Sequence, residues 1–387
     1  MTTRSGPLRG VRVVELGNFI AGPFAGQLLG DLGAEIVKIE PPDGGDTMRE
    51  WGVRVDGEGL WWSSIARNKA SVVADLRTSG DREFVRRIIA DADVLLENFR
   101  PGRLAEWDLD DATLRVLNPR LIVVHVSGFG QTGPRAAEAG FGSIGEAVGG
   151  IRHTTGDADR PAARCGISLG DSLAALFAVV GALGALHERA TSGVGQEVDV
   201  AIYEAVAALM ESTIADYEVA GIVRSRSGGR LPGVAPANAY PTADGSEILI
   251  AANADAVFRR LCTLMGDDAL AADERFATHG ARGEHADELD ELISSWTARH
   301  SSAELLAAAA EAGVPAGRVY TAPDILADAH YAARGMVDRL VTRHGRDIPT
   351  PGVVPKFSRT PGAIASPGPA LGAHTEEYQR RYPPRTT

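Results

Sequence analysis

Val11-Arg-Val-Val-Glu-Leu16 and Glu35-Ile-Val-Lys-Ile-Glu40 flank an amphipathic stretch from Phe24 to Leu32, and this triplet decides the fold. Each flanking run is short and rich in β-branched apolar residues, as a buried strand is. Gly22-Pro23 opens the stretch between them and Gly33 follows it, with Pro at a helix start and Gly just past its end. Working outward, Ala70-Ser-Val-Val-Ala-Asp75 reads as a third strand, with Ser79 as N-cap of a helix over Asp81 to Ala90. Asp93-Val-Leu-Leu-Glu97, a short helical pair and Leu121-Ile-Val-Val-His-Val126 continue the series. Strands and helices alternating at this spacing form parallel βαβ units, so the expected fold class is α/β with a doubly wound sheet.

Two long helical stretches follow, Gly170 to Arg189 and Ala201 to Ala220. The polar, Gly-rich break Ile222-Val-Arg-Ser-Arg-Ser-Gly-Gly-Arg-Leu-Pro-Gly233 then marks a domain boundary. Beyond it lie a strand at Glu247 to Ala252, helices near Ala254–Leu264, Ala286–Thr297 and Ala303–Ala312, and a short strand at Arg318-Val-Tyr320. The expected organisation is a large domain over 1–222, a smaller α/β domain over 223–333, and a Pro-rich segment over 334–387 that returns to the large domain.

Composition excludes several classes. The chain has 387 residues, 44% hydrophobic and 23% charged, the balance of a globular protein with a sizeable core. Thirty-nine basic against fifty-one acidic side chains give a net charge of −12. That argues against binding nucleic acid or an anionic membrane, which needs a basic face. No apolar run is expected to reach the roughly 18 residues needed to cross a bilayer, and the first residues lack the apolar core of a signal peptide. With only Cys165 and Cys262, no disulfide scaffold is possible, and a reducing, cytoplasmic location is expected.

Gly128-Phe-Gly130-Gln-Thr-Gly133 matches the dinucleotide fingerprint literally, but Pro134 follows where a helix must open, so a strand-ending turn is the better reading. The nine His are scattered without ligand spacing, and no metal site is expected. His125 reads as a packed or solvated side chain. More informative is Gly166-Ile-Ser-Leu-Gly170-Asp171-Ser-Leu-Ala-Ala-Leu-Phe-Ala, an acid in the first turn of an otherwise apolar helix. It is either a helix-terminal carboxylate interacting with the dipole or a carboxylate nucleophile that the dipole keeps ionised, with Gly170 admitting a substrate carbonyl.

Ten separated stretches bear on that choice. They include Leu8-Arg-Gly-Val-Arg-Val-Val-Glu-Leu16, Ala21-Gly-Pro-Phe24, Arg67-Asn-Lys69, Glu97-Asn-Phe-Arg-Pro-Gly102, Ser127-Gly-Phe-Gly-Gln-Thr-Gly-Pro134, Gly170-Asp171, Ala312-Gly-Val-Pro-Ala-Gly317 and Leu371-Gly-Ala-His-Thr375. In this order they resemble the class III CoA-transferase family, of formyl-CoA transferase and carnitine CoA-transferase type, across nearly the whole chain. The resemblance implies a Rossmann-like large domain, a smaller domain and an interlocked homodimer. It implies an acyl-CoA:carboxylate CoA-transferase acting on small, including dicarboxylic, acids, with Asp171 as the nucleophile. CoA is then a substrate, and no permanently bound cofactor or metal is required.

By the same resemblance CoA is held by Ile20 and Ala21, by Ala74-Asp75-Leu76-Arg77, by Asn98-Phe99-Arg100 and by Ala139-Gly140-Phe141-Gly142. Arg77 is a phosphate partner in this reading, and Lys69 is left open between a structural role and phosphate steering. Gly228-Gly229 resembles the family loop that closes over the active site. Asn18 stands where relatives more often carry Arg or His, Gly142 where an acid is common, Glu146 where Gln is common, and Glu106 and Pro41 where some formyl-CoA transferases carry Arg. The expected substrate is accordingly not formyl or oxalyl, and Gly233 to Tyr240 looks closer to relatives acting on succinyl- or glutaryl-like acids. Two alternatives stay open: an α-methylacyl-CoA racemase, whose base Phe141 cannot supply, and a non-catalytic acyl-CoA-binding paralogue.

Overall fold

Strands β1 (Arg12–Leu16), β2 (Glu35–Glu40), β3 (Lys69–Val73), β4 (Val94–Glu97) and β5 (Ile122–Ser127) are buried almost end to end. Continuous burial is what a parallel sheet covered on both faces requires. A computed structural model describes residues 5–384, and within them a sixth strand, β6 (Glu197–Ala201), completes this sheet. All five pairings are parallel, in the order β3-β2-β1-β4-β5-β6. The order reverses between β1 and β4, as in the Rossmann arrangement, and a crevice opens there outside the carboxyl ends of the strands.

Successive strand residues face opposite layers. Val13, Ile36, Val94 and Val124 pack under helices α1 (Ala21–Asp31) and α5 (Leu169–Ser192) through Ala25, Leu29, Ala174, Ala178 and Ala182. Val14, Val37, Leu95 and Val123 pack under helix α2 (Ser79–Ile89) through Phe84, Val85 and Ile88. Small residues bring α5 close to the sheet: a Cβ on Gly181 would overlap Val198. Its 24 residues are long and apolar enough to cross a bilayer. The alanine face is nevertheless part of the sheet's core, while Leu176, Phe177 and Val180 are exposed.

The described residues divide into two compact units, one comprising residues up to 152, 165–222 and those from 329 onward, the other 153–164 and 223–328. The second holds an antiparallel sheet of β7 (Ala237–Pro241), β8 (Glu247–Ala251) and β9 (Ala316–Arg318), with Tyr240, Phe258, Phe276 and Ile293 in its core. These bounds differ from the expected ones at two places. Residues 153–164 join the second unit because Gly228 N donates to Gly156 O (3.0 Å) and Arg226 Nε to Asp157 O (3.2 Å). Residues 329–333 belong with the first unit.

Local expectations are corrected as well. The single helix expected over 201–220 is broken: Ala201 ends β6, and helices α6 (Ile202–Ala207) and α7 (Thr213–Ala220) flank a turn. There Glu211 adopts a positive φ of 52° and the Thr213 hydroxyl donates to Met210 O (2.8 Å), drawing the carbonyl out of a helical ladder. The helix cap is Thr78, which accepts from Asp81 N, rather than Ser79. Strand β9 covers 316–318, not 318–320, because its register is set by Ile248 to Ile250.

Within the first unit the returning segment is tied to the Arg67-Asn68-Lys69 turn. Arg67, buried, donates to Asp31 Oδ1 (3.0 Å), Thr350 Oγ1 (3.0 Å) and Pro351 O (2.7 Å). Asn68, at φ 62°, donates to Ala363 O (2.9 Å) and accepts from Ala365 N (2.7 Å). These motif residues join remote parts of the chain.

Candidate active site at the strand-order reversal

The crevice between β1 and β4 is bridged by one side chain. Asn98, just past β4, accepts from Asn18 N (3.0 Å) and donates to Asn18 O (2.8 Å) just past β1. A Cβ on Gly17 would overlap Asn98 Oδ1, and one on Gly22 would lie a tight 3.1 Å from Asn98 Cγ, so glycine on both sides leaves room for this clamp.

Buried charges support the same loop from below. Lys38 Nζ donates to Gly17 O (2.7 Å) and Glu15 Oε1 (2.8 Å) and pairs with Asp46 Oδ2 (2.9 Å). Burial disfavours this ammonium, but the charges of Glu15, Asp46 and Glu40 outweigh that and hold its pKa above the ordinary lysine value. Asp46 Oδ1 accepts from Phe19 N (3.1 Å), and Phe19 is held at a positive φ of 65°. Such a conformation is strained for an aromatic residue and persists only where its surroundings impose it. Lys69 is buried against Glu15 Oε2 (2.8 Å) and Pro23 O (2.6 Å), which makes it structural.

Asp171 lies half-buried in the first turn of α5, whose cap residue Ser168 makes no side-chain cap bond. Gly142 opens the facing helix α4 (Gly142–Val148), and a Cβ there would overlap Asp171 Oδ2 and sit 2.7 Å from its Cγ. Gly170 N donates to Glu146 Oε1 (3.2 Å), and a Cβ on Gly170 would come within 2.8 Å of Gly142 O. Gly142, Glu146 and Asn18 thus fall around one carboxylate or its cavity.

That cavity, of about 220 Å³, is lined by Asp171, Asn18, Ile20, Ala21, Asn98, Phe99, Arg100, Gly140 and Phe141. The Phe19 ring stands edge-on to Phe141 at 5.8 Å and 5.4 Å from Trp51, forming an aromatic rim. A second cavity of about 350 Å³ lies across the carboxyl ends of β1 to β4 and includes Ala74, Asp75, Leu76, Arg77 and Trp107. Asn18 and Phe99 line both. Arg77 is exposed and donates to Asp75 Oδ1 (2.7 Å) and Asp43 Oδ2 (2.8 Å), so a phosphate reaching it would compete with two carboxylates.

Thus the structure gathers Asn18, Ile20, Ala21, Asn98, Phe99, Arg100, Gly140, Phe141 and Asp171 around one cavity, with Gly142 in van der Waals reach of Asp171. Ala139 is exposed and lines neither cavity. Gly228 and Gly229 belong to the second unit, where Gly228 has φ 65° and a Cβ on Gly229 would meet Asn238 Oδ1 at 2.8 Å. Sequence reasoning missed Gly17, Phe19, Lys38 and Asp46. The available signal was the presence of Glu15 and Lys38 inside strands otherwise read as buried, since such charges occur there only with partners. The Gly128 to Gly133 turn opens no helix, and a Cβ on Gly128 would lie 2.7 Å from Gly140 Cα, so these glycines let two loop backbones touch.

Among the described residues, Asp111, His125 and Glu197 bring ligand-type atoms within 4.8 Å of one another. The grouping was invisible in sequence because three separate elements supply it. His125 Nδ1 lies 2.6 Å from Glu97 Oε1 and Nε2 lies 3.4 Å from Asp111 Oδ1. Burial disfavours the imidazolium, but hydrogen bonds with Asp111 and Glu97 outweigh it and push its pKa up to about 10.

A doubly wound α/β sheet places its ligand crevice outside the strand ends at the order reversal, and Asp171 stands at that crevice. The chain belongs to CoA-transferase family III, whose model matches residues 8–375. It is 56% identical over 372 residues to succinyl-CoA–D-citramalate CoA-transferase of Chloroflexus aurantiacus, covering 96% of this chain and 92% of the relative. It is 39% identical to succinate–glutarate CoA-transferase of Agrobacterium fabrum, covering 97% and 95%. A crystal structure of a CAIB/BAIF family protein from Brucella suis superposes with a TM-score of 0.86 at 36% identity, covering 98% of this chain and all of that one. The chain is a CoA-transferase, and the family expected from its motifs is the one found.

Proposed function

We propose that the protein transfers CoA from succinyl-CoA to a small dicarboxylic acid, with a citramalate-like hydroxy acid as the first acceptor to test. The observation that carries this is the 56% identity to a succinyl-CoA–D-citramalate transferase, together with Asp171 in a cavity that adjoins a second one at the strand ends. The Asp171 carboxylate attacks the thioester carbonyl, forming a mixed anhydride and releasing CoA thiolate. The thiolate then attacks the Asp171 acyl carbon, which frees the donor acid and leaves an aspartyl thioester. The acceptor carboxylate attacks that thioester to give a second anhydride and thiolate. Attack of this thiolate on the acceptor's acyl carbon yields the new acyl-CoA and regenerates Asp171.

Pantetheine and thioester occupy the Asp171 cavity in this reading, with Ile20, Ala21, Asn98 to Arg100 and Gly140 to Gly142 as its walls. The nucleotide end lies in the second cavity along Ala74 to Arg77. The aromatic rim of Phe19, Phe141 and Trp51 keeps water from the anhydride. The protein works as a homodimer: Leu176, Val180, Ile214 and Tyr217 are exposed apolar side chains of the kind that mark an interface. Its two cysteines are free, which suits the cytoplasm.

The test is incubation with succinyl-CoA and, separately, citramalate, malate, glutarate and acetate, with acyl-CoA products read by mass spectrometry. A new dicarboxyl-CoA is expected. Transfer to acetate alone, or exchange of the α-hydrogen without transfer, would overturn the proposal.

A further inference from the structure

We infer that His125 is a positioning residue for the CoA cavities, acting through the Glu97 carboxylate on the backbone of Phe99. The inference rests on the functional reading above for what fills those cavities, but its geometry stands alone. His125 on β5 and Glu97 at the end of β4 are register partners. One Glu97 oxygen meets the imidazole Nδ1 at 2.6 Å, and the other accepts from Phe99 N at 2.7 Å. Both side chains are buried, with 4% and 3% exposure. Phe99, with Asn18, lines both cavities, and its ring stands edge-on to Trp107 at 5.1 Å. The preceding residue, Asn98, is the clamp on Asn18. One chain of short contacts therefore runs from a buried cation to the loop that shapes both cavities.

Charge makes this arrangement more than packing. Burial raises the Glu97 carboxyl above its ordinary value and outweighs the hydrogen bond from His125 that works against it. The imidazole faces the carboxylate at 2.6 Å, so positive charge on His125 favours the ionised form of Glu97, and hydrogen bonds to ionised acceptors are about twice as strong as neutral ones. Without the imidazolium, an isolated carboxylate in this setting takes up a proton. It then offers Phe99 N a weaker acceptor and carries a hydroxyl that must find its own partner. The loop from Asn98 to Arg100 loses one of its two anchors, the Asn98 clamp on Asn18 remaining, while Asp171 and its helix are untouched.

The experiment compares CoA affinity by calorimetry, transferase kinetics and thermal unfolding for wild type, His125→Gln and the double variant His125→Gln/Glu97→Gln. We expect His125→Gln to weaken CoA binding about tenfold, the worth of one charged hydrogen bond. Its KM for acyl-CoA should rise more than its kcat falls, because ground-state positioning is lost. In the double variant the amide carbonyl introduced at position 97 can accept from Phe99 N. Its NH2 group can donate to the amide introduced at position 125, so affinity should return to within about threefold of wild type. A merely structural role would lower the unfolding temperature without this KM shift and without rescue. CoA affinity of His125→Gln within about twofold of wild type, or a double variant no better than the single one, would overturn the inference. A wild-type protein with no CoA affinity would overturn the functional reading and take this one with it.

Discussion

Gly142→Ala is the substitution that most directly tests the geometry around Asp171. The added Cβ would sit 2.7 Å from Asp171 Cγ and 3.1 Å from Oδ1, and would overlap Oδ2. Reaching an ordinary contact of about 3.5 Å requires the Oδ2 end of the carboxylate to move by more than 1 Å, and displacement on that scale at a reacting group lowers rate by about 100-fold. We therefore expect kcat/KM for acyl-CoA to fall about 100-fold, or about 2.7 kcal/mol of transition-state stabilisation. Stability should not fall with it. Gly142 lies in helix α4 and is not among the positive-φ glycines, so alanine is conformationally acceptable there and gains up to about 1 kcal/mol of helix propensity. The assay is steady-state transfer from succinyl-CoA alongside thermal unfolding. Activity within about threefold of wild type would refute the claim that this glycine makes room for the nucleophile.

Asp171→Ala should abolish transfer while CoA binding by calorimetry persists, and hydroxylamine added with acyl-CoA should convert Asp171 of wild type into a hydroxamate with release of CoA, leaving the variant unmodified. Asn98→Ala removes both bonds that bridge Asn18 across the crevice. It should destabilise the protein by about 1–3 kcal/mol and weaken CoA binding, measured by urea unfolding and calorimetry. Glu35 gives a pH dependence. Burial works against its carboxylate, but bonds from Arg381, Tyr378 and Arg12 outweigh burial and hold its pKa at about 2, below the ordinary 4.5. Because the folded value is depressed, this stabilisation is fully present above 4.5 and is lost as pH falls toward 2. Wild type should be more stable than Glu35→Gln near neutrality, and their urea midpoints should converge across that window.

Legibility in the sequence varied with how local the signal was. The buried runs of β1 to β5 were readable because a strand covered on both faces is apolar almost throughout. Strand β6 was missed: Glu197-Val-Asp-Val-Ala alternates in polarity and burial and stood within a motif rather than as an element. The break at Leu209 to Ser212 was missed because no Gly or Pro marks it. At the site, Asp171 could be singled out by its place at the start of an apolar helix, and the loop residues by resemblance. Lys38 was signalled only as a charge inside a strand read as buried, and Asp46 carried no local pattern, since their role is a three-way contact with Gly17 and Glu15.

By itself the chain's order of residues determined a parallel α/β sheet, the helix that begins at Asp171's turn and the family to which both belong, because hydrophobic period and terminal residues act over a few positions. Only tertiary structure decided that Asn98 closes on Asn18, that Gly142 yields its side-chain volume to Asp171, and that His125 reaches Phe99 through Glu97. Those relations join residues tens of positions apart. Such contacts depend on strand order and register, which place side chains to within an ångström only once the whole sheet has assembled.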